Sequence, residues 1–203
     1  MQPAAQPAPP APARHSVWLT SIRFTVVATI LLGLAYPLAI TGVAHFLLPR
    51  QAAGSLIHRR DGTVIGSELL AQSFSSDKYF HPRPSAAGAN GYDATASGGS
   101  NLAQSNKALV DRVQGSINTL AAENPSSPVP IDLVTTSGSG LDPDITPDAA
   151  LFQIPRIARA RHLSEDAVRQ LVDAHIAPRQ LGVLGEPRVN VLRLNLGLDN
   201  LSK

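Results

Sequence analysis

A chain of 203 residues, 43% hydrophobic and with a net charge of only +2, has enough apolar surface to build a core and cannot be disordered throughout. The length allows one domain, or one domain with an appendage. The absence of cysteine excludes a disulfide scaffold and a cysteine zinc site.

Charge is unevenly placed. All 15 Asp and Glu lie at Asp61 or later, and before that point stand Arg14, Arg23, Arg50, Arg59 and Arg60. A nucleic-acid binder usually carries its excess charge on the folded domain. Here the excess flanks an apolar stretch, which points to a membrane.

Residues 1–16 are dominated by Pro, Ala and Gln and are expected to form a disordered tail. Residues 17–49 read as a transmembrane anchor. From Phe24 to Pro49 there is no Asp, Glu, Lys or Arg and one histidine, His45. As a helix, Phe24–Leu48 would span about 37 Å, enough to cross a bilayer with tilt. Pro37 is expected to kink that helix. A cleaved signal peptide is the alternative, with Gly42-Val43-Ala44 as its site, but the apolar run exceeds the usual signal length. Arginines stand on both sides of the run, so the positive-inside rule does not decide its orientation.

Residues 50–203 read as one soluble α/β domain, α+β in its order of elements. Ser55–Gly66 predicts a β-hairpin, because Asp61-Gly62 sits between short apolar runs. Ser67–Leu70 follows as a helical turn. His81–Asn106 is nearly devoid of large apolar side chains, and a loop of that length is usually functional or disordered. It is expected to be ordered, at least when the chain is assembled with partners, because its prolines and glycines limit the unfolded chain or supply special backbone angles. Gly98 and Gly99 should accept Val less readily than Ala86 and Ala87 accept Ser.

A helix then starts at a Ser105 cap and ends at Asn124-Pro125, with Leu109, Val110, Val113, Ile117, Leu120 and Ala121 on one face. Pro130–Thr136 predicts a strand, and Ser137–Gly140 a flexible turn. Thr146-Pro147 opens one helix and Ser164-Glu165-Asp166 another, the latter with Val168, Leu171 and Val172 inward and Pro178 beyond its end. Arg188–Leu196 predicts a strand whose apolar phase slips between Val191 and Leu192, as at a bulge or in a strand buried on both faces.

Chemistry-bearing motifs are few. No lysine follows a glycine, so there is no P-loop, and no Gly-x-Ser-x-Gly elbow occurs. The six histidines have no metal-binding spacing. Asp142–Asp148 starts like a calcium loop, but Pro147 and Gln153 stand where Gly and Glu are required. Pro155–His175 has the outline of a helix-turn-helix. A near-neutral domain makes its Arg156, Arg159 and Arg161 solvated or ion-paired residues of an ordinary helical hairpin. Ser97-Gly98-Gly99-Ser100-Asn101 is the sharpest short motif, since consecutive glycines let backbone N–H groups converge on an anion. It is similar to the Ser-Gly-Gly element of ABC-type ATPases, and its plain alternative is a turn.

Five ordered stretches carry a resemblance. They are Tyr79–Ser85, Ser97–Leu102, Asp132–Pro143, Gln153–Ala158 and Leu184–Val191. Together they resemble KdpC, the small C-subunit family of the Kdp potassium-transporting P-type ATPases. Two departures stand out: Ala103-Gln104 where the family usually has Gly-Pro, and Asp144 where it often has His. The resemblance implies a non-catalytic accessory subunit at the cell inner membrane. Its partners would be a potassium-translocating subunit and a P-type subunit that hydrolyses ATP, with potassium as the transported ion. It implies a role in assembly, and a catalytic-chaperone role that raises ATP affinity in the P-type subunit. Ser97, Gly98, Gly99, Ser100 and Asn101 would then contact nucleotide or a partner. No nucleic-acid partner, own catalytic residue or metal site is expected. The soluble domain is placed outside the cytoplasm, on its short N-terminal tail, lack of cysteine and lack of a known nucleotide loop. The competing readings are a membrane-anchored extracytoplasmic hydrolase using a serine of the glycine loops, and a membrane-tethered DNA-binding regulator.

Overall fold

The computed structural model describes residues 17–201. The expected disordered tail, 1–16, lies outside the described residues. The chain divides into two units, before and after the Ala53–Gly54 bond.

The first unit is helical. α1 (Val17–Ala28) and α2 (Tyr36–Leu47) are joined by a π-helical stretch, Thr29–Ala35, and a short α3 (Pro49–Ala52) follows. Val17–Leu47 is long and apolar enough to cross a membrane, and none of its side chains is buried. The effect of Pro37 is specific. Lacking an N–H, it breaks the i→i−4 ladder, and the preceding turn widens: the Tyr36 N–H donates to the Leu31 carbonyl, five residues back.

The second unit starts with the expected hairpin. β1 (Leu56–His58) pairs antiparallel with β2 (Val64–Ser67). Arg59 N–H donates to Thr63 O, Gly62 N–H donates to Arg59 O, and Gly62 takes φ +84°. A three-residue loop with glycine in the left-handed region fits this geometry. Ser67–Leu70 is a hydrogen-bonded turn, not a helical one. Ser67 Oγ accepts from Leu69 N–H at 3.1 Å and so holds the chain locally.

The core lies among three helices and a small antiparallel sheet. α5 (Pro147–Arg161) and α6 (Glu165–His175) form a helical hairpin, and α7 (Val191–Leu201) packs on α6. Thr146 and Ser164 cap α5 and α6 through their side chains, as their sequence positions predict. The sheet has the order β3 (Asp144–Ile145), β5 (Arg188–Asn190), β4 (Ile176–Ala177). Val189 stands opposite both Ile145 and Ile176 and is wholly buried. The α+β class therefore holds.

Several local expectations are corrected. The phase slip after Val191 is a change of element: β5 stops at Asn190 and α7 begins at Val191. Val191, Leu194 and Leu198 recur at helical spacing on the core side. Pro130–Thr136 is not a strand but a 3₁₀ turn over Ile131–Leu133. Its backbone is satisfied locally, and the buried Asp132 carboxylate accepts from Thr146 N–H at 2.7 Å, tying the segment to the α5 cap. The helix of the middle region is α4 (Lys107–Glu123), capped by Asn106 and not Ser105. None of its residues is buried, Val110 and Ala121 are exposed, and Leu120 reaches the main core.

Candidate functional site

The long loop over residues 81–106 has no helix or strand, yet it is tied down along its length. Its entry is the tightest part. Phe80, fully buried, donates its N–H to Asn195 Oδ1 at 2.8 Å, and Asn195 Nδ2 donates back to Phe80 O at 3.0 Å. Gln153 treats the next residue alike: His81 N–H donates to Gln153 Oε1 at 2.8 Å, and Gln153 Nε2 donates to His81 O at 3.2 Å. Two buried amides thus act as a partner strand for a segment that has none. Without them, four backbone groups would be left unpaired at this buried place.

Arg156 completes the clamp. Only 7% exposed, it donates to the carbonyls of Asp77 (2.7 Å) and Tyr79 (3.0 Å) and to Gln153 Oε1 (2.7 Å), and it pairs with Glu123 at 3.1 Å. Burial pushes its pKa down while Glu123 opposes that shift. Burial, and then the Arg156 charge, hold His81 below the usual histidine value. Arg161 pairs with Asp199 at 2.7 Å and sits 4.7 Å over the Tyr79 ring. The arginines of the helical hairpin thus bind the protein's own groups.

Further along, the loop meets Thr135–Asp142. Arg83 pairs with Asp142 at 3.2 Å, and Ser85 Oγ donates to Gly140 O at 2.6 Å. Tyr92 Oη donates to Arg83 O at 2.9 Å, and burial raises its pKa.

Ser97–Asn101 then lies against Ser137–Gly140. Gly98 N–H and Ser97 Oγ both donate to Ser139 O, at 2.8 and 3.0 Å. The two glycine-rich stretches form a latch, and the second is an anchored partner, not a free flexible turn. Gly140 has φ +67°, and a Cβ there would lie 2.7 Å from Gly98 O and 2.8 Å from Ala87 N. A Cβ on Gly99 would meet Gly138 O at 3.2 Å, whereas one on Gly98 would meet nothing. The two central glycines are therefore not equivalent, and the wholly buried Ala87 is not a neutral position.

This geometry narrows what the five candidate residues can do. The Gly98 N–H is already engaged, which removes one donor from any anion cradle. Ser97 Oγ faces a carbonyl, whereas a nucleophile needs a base to take its proton. Ser97 and Asn101 are exposed, Asn101 with φ +50°, and Ser100 is half-buried. Among the described residues no group of three or more His, Asp or Glu side chains could hold a metal ion. In the calcium-like stretch, Asp142 pairs with Arg83, and Asp144 pairs with Arg188 at 3.1 Å.

Gln153, Arg156 and Asn195 are not legible as a unit in the sequence. The available signal is a polar residue on an apolar helix face, Gln153 among Ala149, Ala150, Ile154 and Ile157, and Asn195 among Leu192, Leu194 and Leu198.

A family model described as K+-transporting ATPase, c chain (KdpC), matches residues 18–200. A potassium-transporting ATPase KdpC subunit of Methylobacterium nodulans is 58% identical over 188 residues, covering 87% of this chain and 93% of that relative. One of Rhodopseudomonas palustris is 60% identical over 185 residues, covering 86% and 92%. One of Acidobacterium capsulatum is 56% identical over 182 residues, covering 90% and 97%.

Proposed function

The chain belongs to the KdpC family of K+-transporting ATPase c chains, and from that membership we propose that it is a non-catalytic accessory subunit of an ATP-driven potassium import complex. It joins a potassium-translocating subunit and a P-type subunit that hydrolyses ATP, and it is needed for their assembly. The observation that carries this reading is the family match over nearly the whole chain, in a sequence that lacks the Asp-Lys-Thr-Gly-Thr run phosphorylated in P-type pumps. A single apolar helix also cannot by itself enclose a pathway for a dehydrated ion.

Residues 17–49 anchor the protein in the inner membrane, and residues 50–203 form its soluble domain, outside the cytoplasm. Large C-terminal domains translocate largely regardless of charge, so Arg59 and Arg60 do not oppose this. ATP is cytoplasmic, and a raised ATP affinity in the P-type subunit is then a coupling between distant sites. The engaged Gly98 N–H supports partner contact over nucleotide contact for Ser97, Gly98, Gly99, Ser100 and Asn101.

The test is potassium-dependent ATPase activity of the reconstituted complex with and without this chain. Activity and ATP affinity unchanged in its absence would overturn the accessory role. Esterase activity of the purified chain alone would favour the anchored hydrolase. For orientation, a Ser126→Cys variant of this cysteine-free chain should react with an impermeant maleimide in cells whose outer membrane alone is opened. Labelling only after the inner membrane is broken would put the domain in the cytoplasm and return nucleotide contact to the glycine loop.

A further inference from the structure

A cleft of about 620 Å³ lies between residues 124–132, α5 and the first turns of α6. That volume is within the usual range of small-molecule sites. Val129, Leu151, Phe152 and Pro155 give it apolar walls. One wall is tied in place without any occupant, because Asn124 Nδ2 donates to Phe152 O at 2.9 Å and Ser126 Oγ donates to Asn124 Oδ1 at 2.8 Å. The cleft also holds a group that the fold does not fully satisfy. Asp132 lines it and is only 8% exposed. Its Oδ2 accepts from Thr146 N–H at 2.7 Å, and its Oδ1 has no hydrogen-bond partner among the described residues.

An ionised carboxylate has about four acceptor sites, and a buried charge is costly unless it is paired and hydrogen-bonded. One backbone N–H leaves most of the Asp132 capacity unused, and no ion pair among the described residues includes it. Its surroundings do not compensate. Asp148 and Glu165 line the same cleft, and Arg169 is the one cation in the lining among the described residues. Acids are ordinary in the first turn of a helix, where Asp148 and Glu165 stand, so it is Asp132 that marks the site. Asp132 and Thr146 also border a neighbouring cavity of about 350 Å³. There the other charges are already matched: Arg83 with Asp142, Arg188 with Asp144 and Glu186 with Arg179. The excess of negative charge therefore lies on the side of the apolar cleft.

The missing complement is a cation, and the geometry selects its kind. A guanidinium pairs best with both oxygens of a carboxylate at once, and Thr146 already engages one of them. Calcium and magnesium need about six oxygen ligands, and no acidic group of that kind is gathered among the described residues. A dehydrated potassium ion needs a ring of oxygens in place of its water, which walls of valine, leucine, phenylalanine and proline do not supply. An ammonium is a compact point charge that one oxygen can hold, and an alkyl stem behind it gains from apolar walls. We propose that this cleft binds a small primary alkylamine in its charged form, with the ammonium on Asp132 Oδ1 and the stem along Val129, Leu151 and Phe152. The site belongs to the chain itself, whether or not partner subunits are joined to it.

Butylammonium chloride is the probe, added to the full-length chain in detergent while thermal unfolding is followed by circular dichroism. A ligand that binds only the folded chain raises the unfolding midpoint as its concentration passes the dissociation constant. Butylammonium should raise the midpoint. Butanol, with the same stem and no charge, and potassium chloride at equal ionic strength should not. Butylguanidinium should need a concentration at least about tenfold higher for the same rise. Asp132→Asn keeps an acceptor for Thr146 N–H and loses the charge, so it should need at least about tenfold more butylammonium. No response to butylammonium, an equal response to any of the other solutes, or an equal response of Asp132→Asn overturns the site. Should Asp132→Asn fail to fold, the comparison of solutes on the wild type decides alone. If saturating butylammonium releases partner subunits from the purified complex, the cleft seats a lysine side chain of a protein, and the assignment to a free amine is overturned.

Discussion

The latch between the glycine-rich stretches predicts opposite behaviour for two glycines that touch the same contact. Gly140→Ala keeps a positive φ that costs a side-chain-bearing residue about 1–2 kcal/mol. Its Cβ would also stand 2.7 Å from Gly98 O and 2.8 Å from Ala87 N, both backbone atoms, so the stretches must separate. Separation breaks the Gly98-to-Ser139 and Ser85-to-Gly140 hydrogen bonds, each worth about 1 kcal/mol net. The expected loss is about 3–4 kcal/mol altogether, or roughly 10 °C in melting temperature for a domain of this size. Gly98→Ala has an ordinary φ and open space around its Cβ, and its effect should stay within about 0.5 kcal/mol. Thermal unfolding of the full chain in detergent, followed by circular dichroism, measures both. Equal shifts, or a larger one for Gly98→Ala, would refute the latch. If Gly98→Ala left stability unchanged but abolished stimulation of the complex, the exposed face of the loop would be its working part.

The amide clamp makes a second prediction. Gln153→Leu strands the N–H and C=O of His81 and removes an acceptor of Arg156, so urea unfolding should show a loss of about 2–4 kcal/mol; a loss below about 1 kcal/mol would mean that water replaces the amide. A third concerns pH. The native pKa of His81 is lowered, so at falling pH the unfolded chain takes up the proton first. The stabilising contribution is present above the ordinary histidine value of about 6.5 and declines as pH falls from there through the lowered native value. Unfolding midpoints of the wild type should drop between about pH 7.5 and 5.5, and His81→Gln should flatten that slope; identical slopes would exclude His81 as its source.

How far a feature can be read from sequence depends on how local its determinant is. The hairpin at Asp61-Gly62 and the caps at Thr146 and Ser164 depend on neighbours within four residues, and each forms where its residue types predict. Arg188–Leu196 reads as a strand because one that becomes a helix without a break looks, over nine residues, like a strand with a fault. Pro130–Thr136 has strand-like composition, but the bond between Asp132 and Thr146 reaches 14 positions along the chain and carries no local signature. The clamp lies further out of sight, because Gln153 and Asn195 meet residues 72 and 115 positions away. Of the five candidate loop residues, the sequence marks the stretch, and only the surroundings of each glycine in the fold distinguish Gly98 from Gly99.

The pairing of Phe80 with Asn195 also constrains the order in which the domain is made. Synthesis delivers Phe80 early and Asn195 within α7, with the whole of α4, α5 and α6 produced between them. Until α7 emerges, the Phe80 N–H and C=O lack the Asn195 amide that pairs them in the finished fold. Contacts of such sequence separation close late and slow the final step of folding. During that interval the segment is incompletely paired, and incompletely assembled apolar segments are prone to misassociation. A chain interrupted before α7 would lack that pairing, and two backbone groups that the finished fold buries would be left unsatisfied.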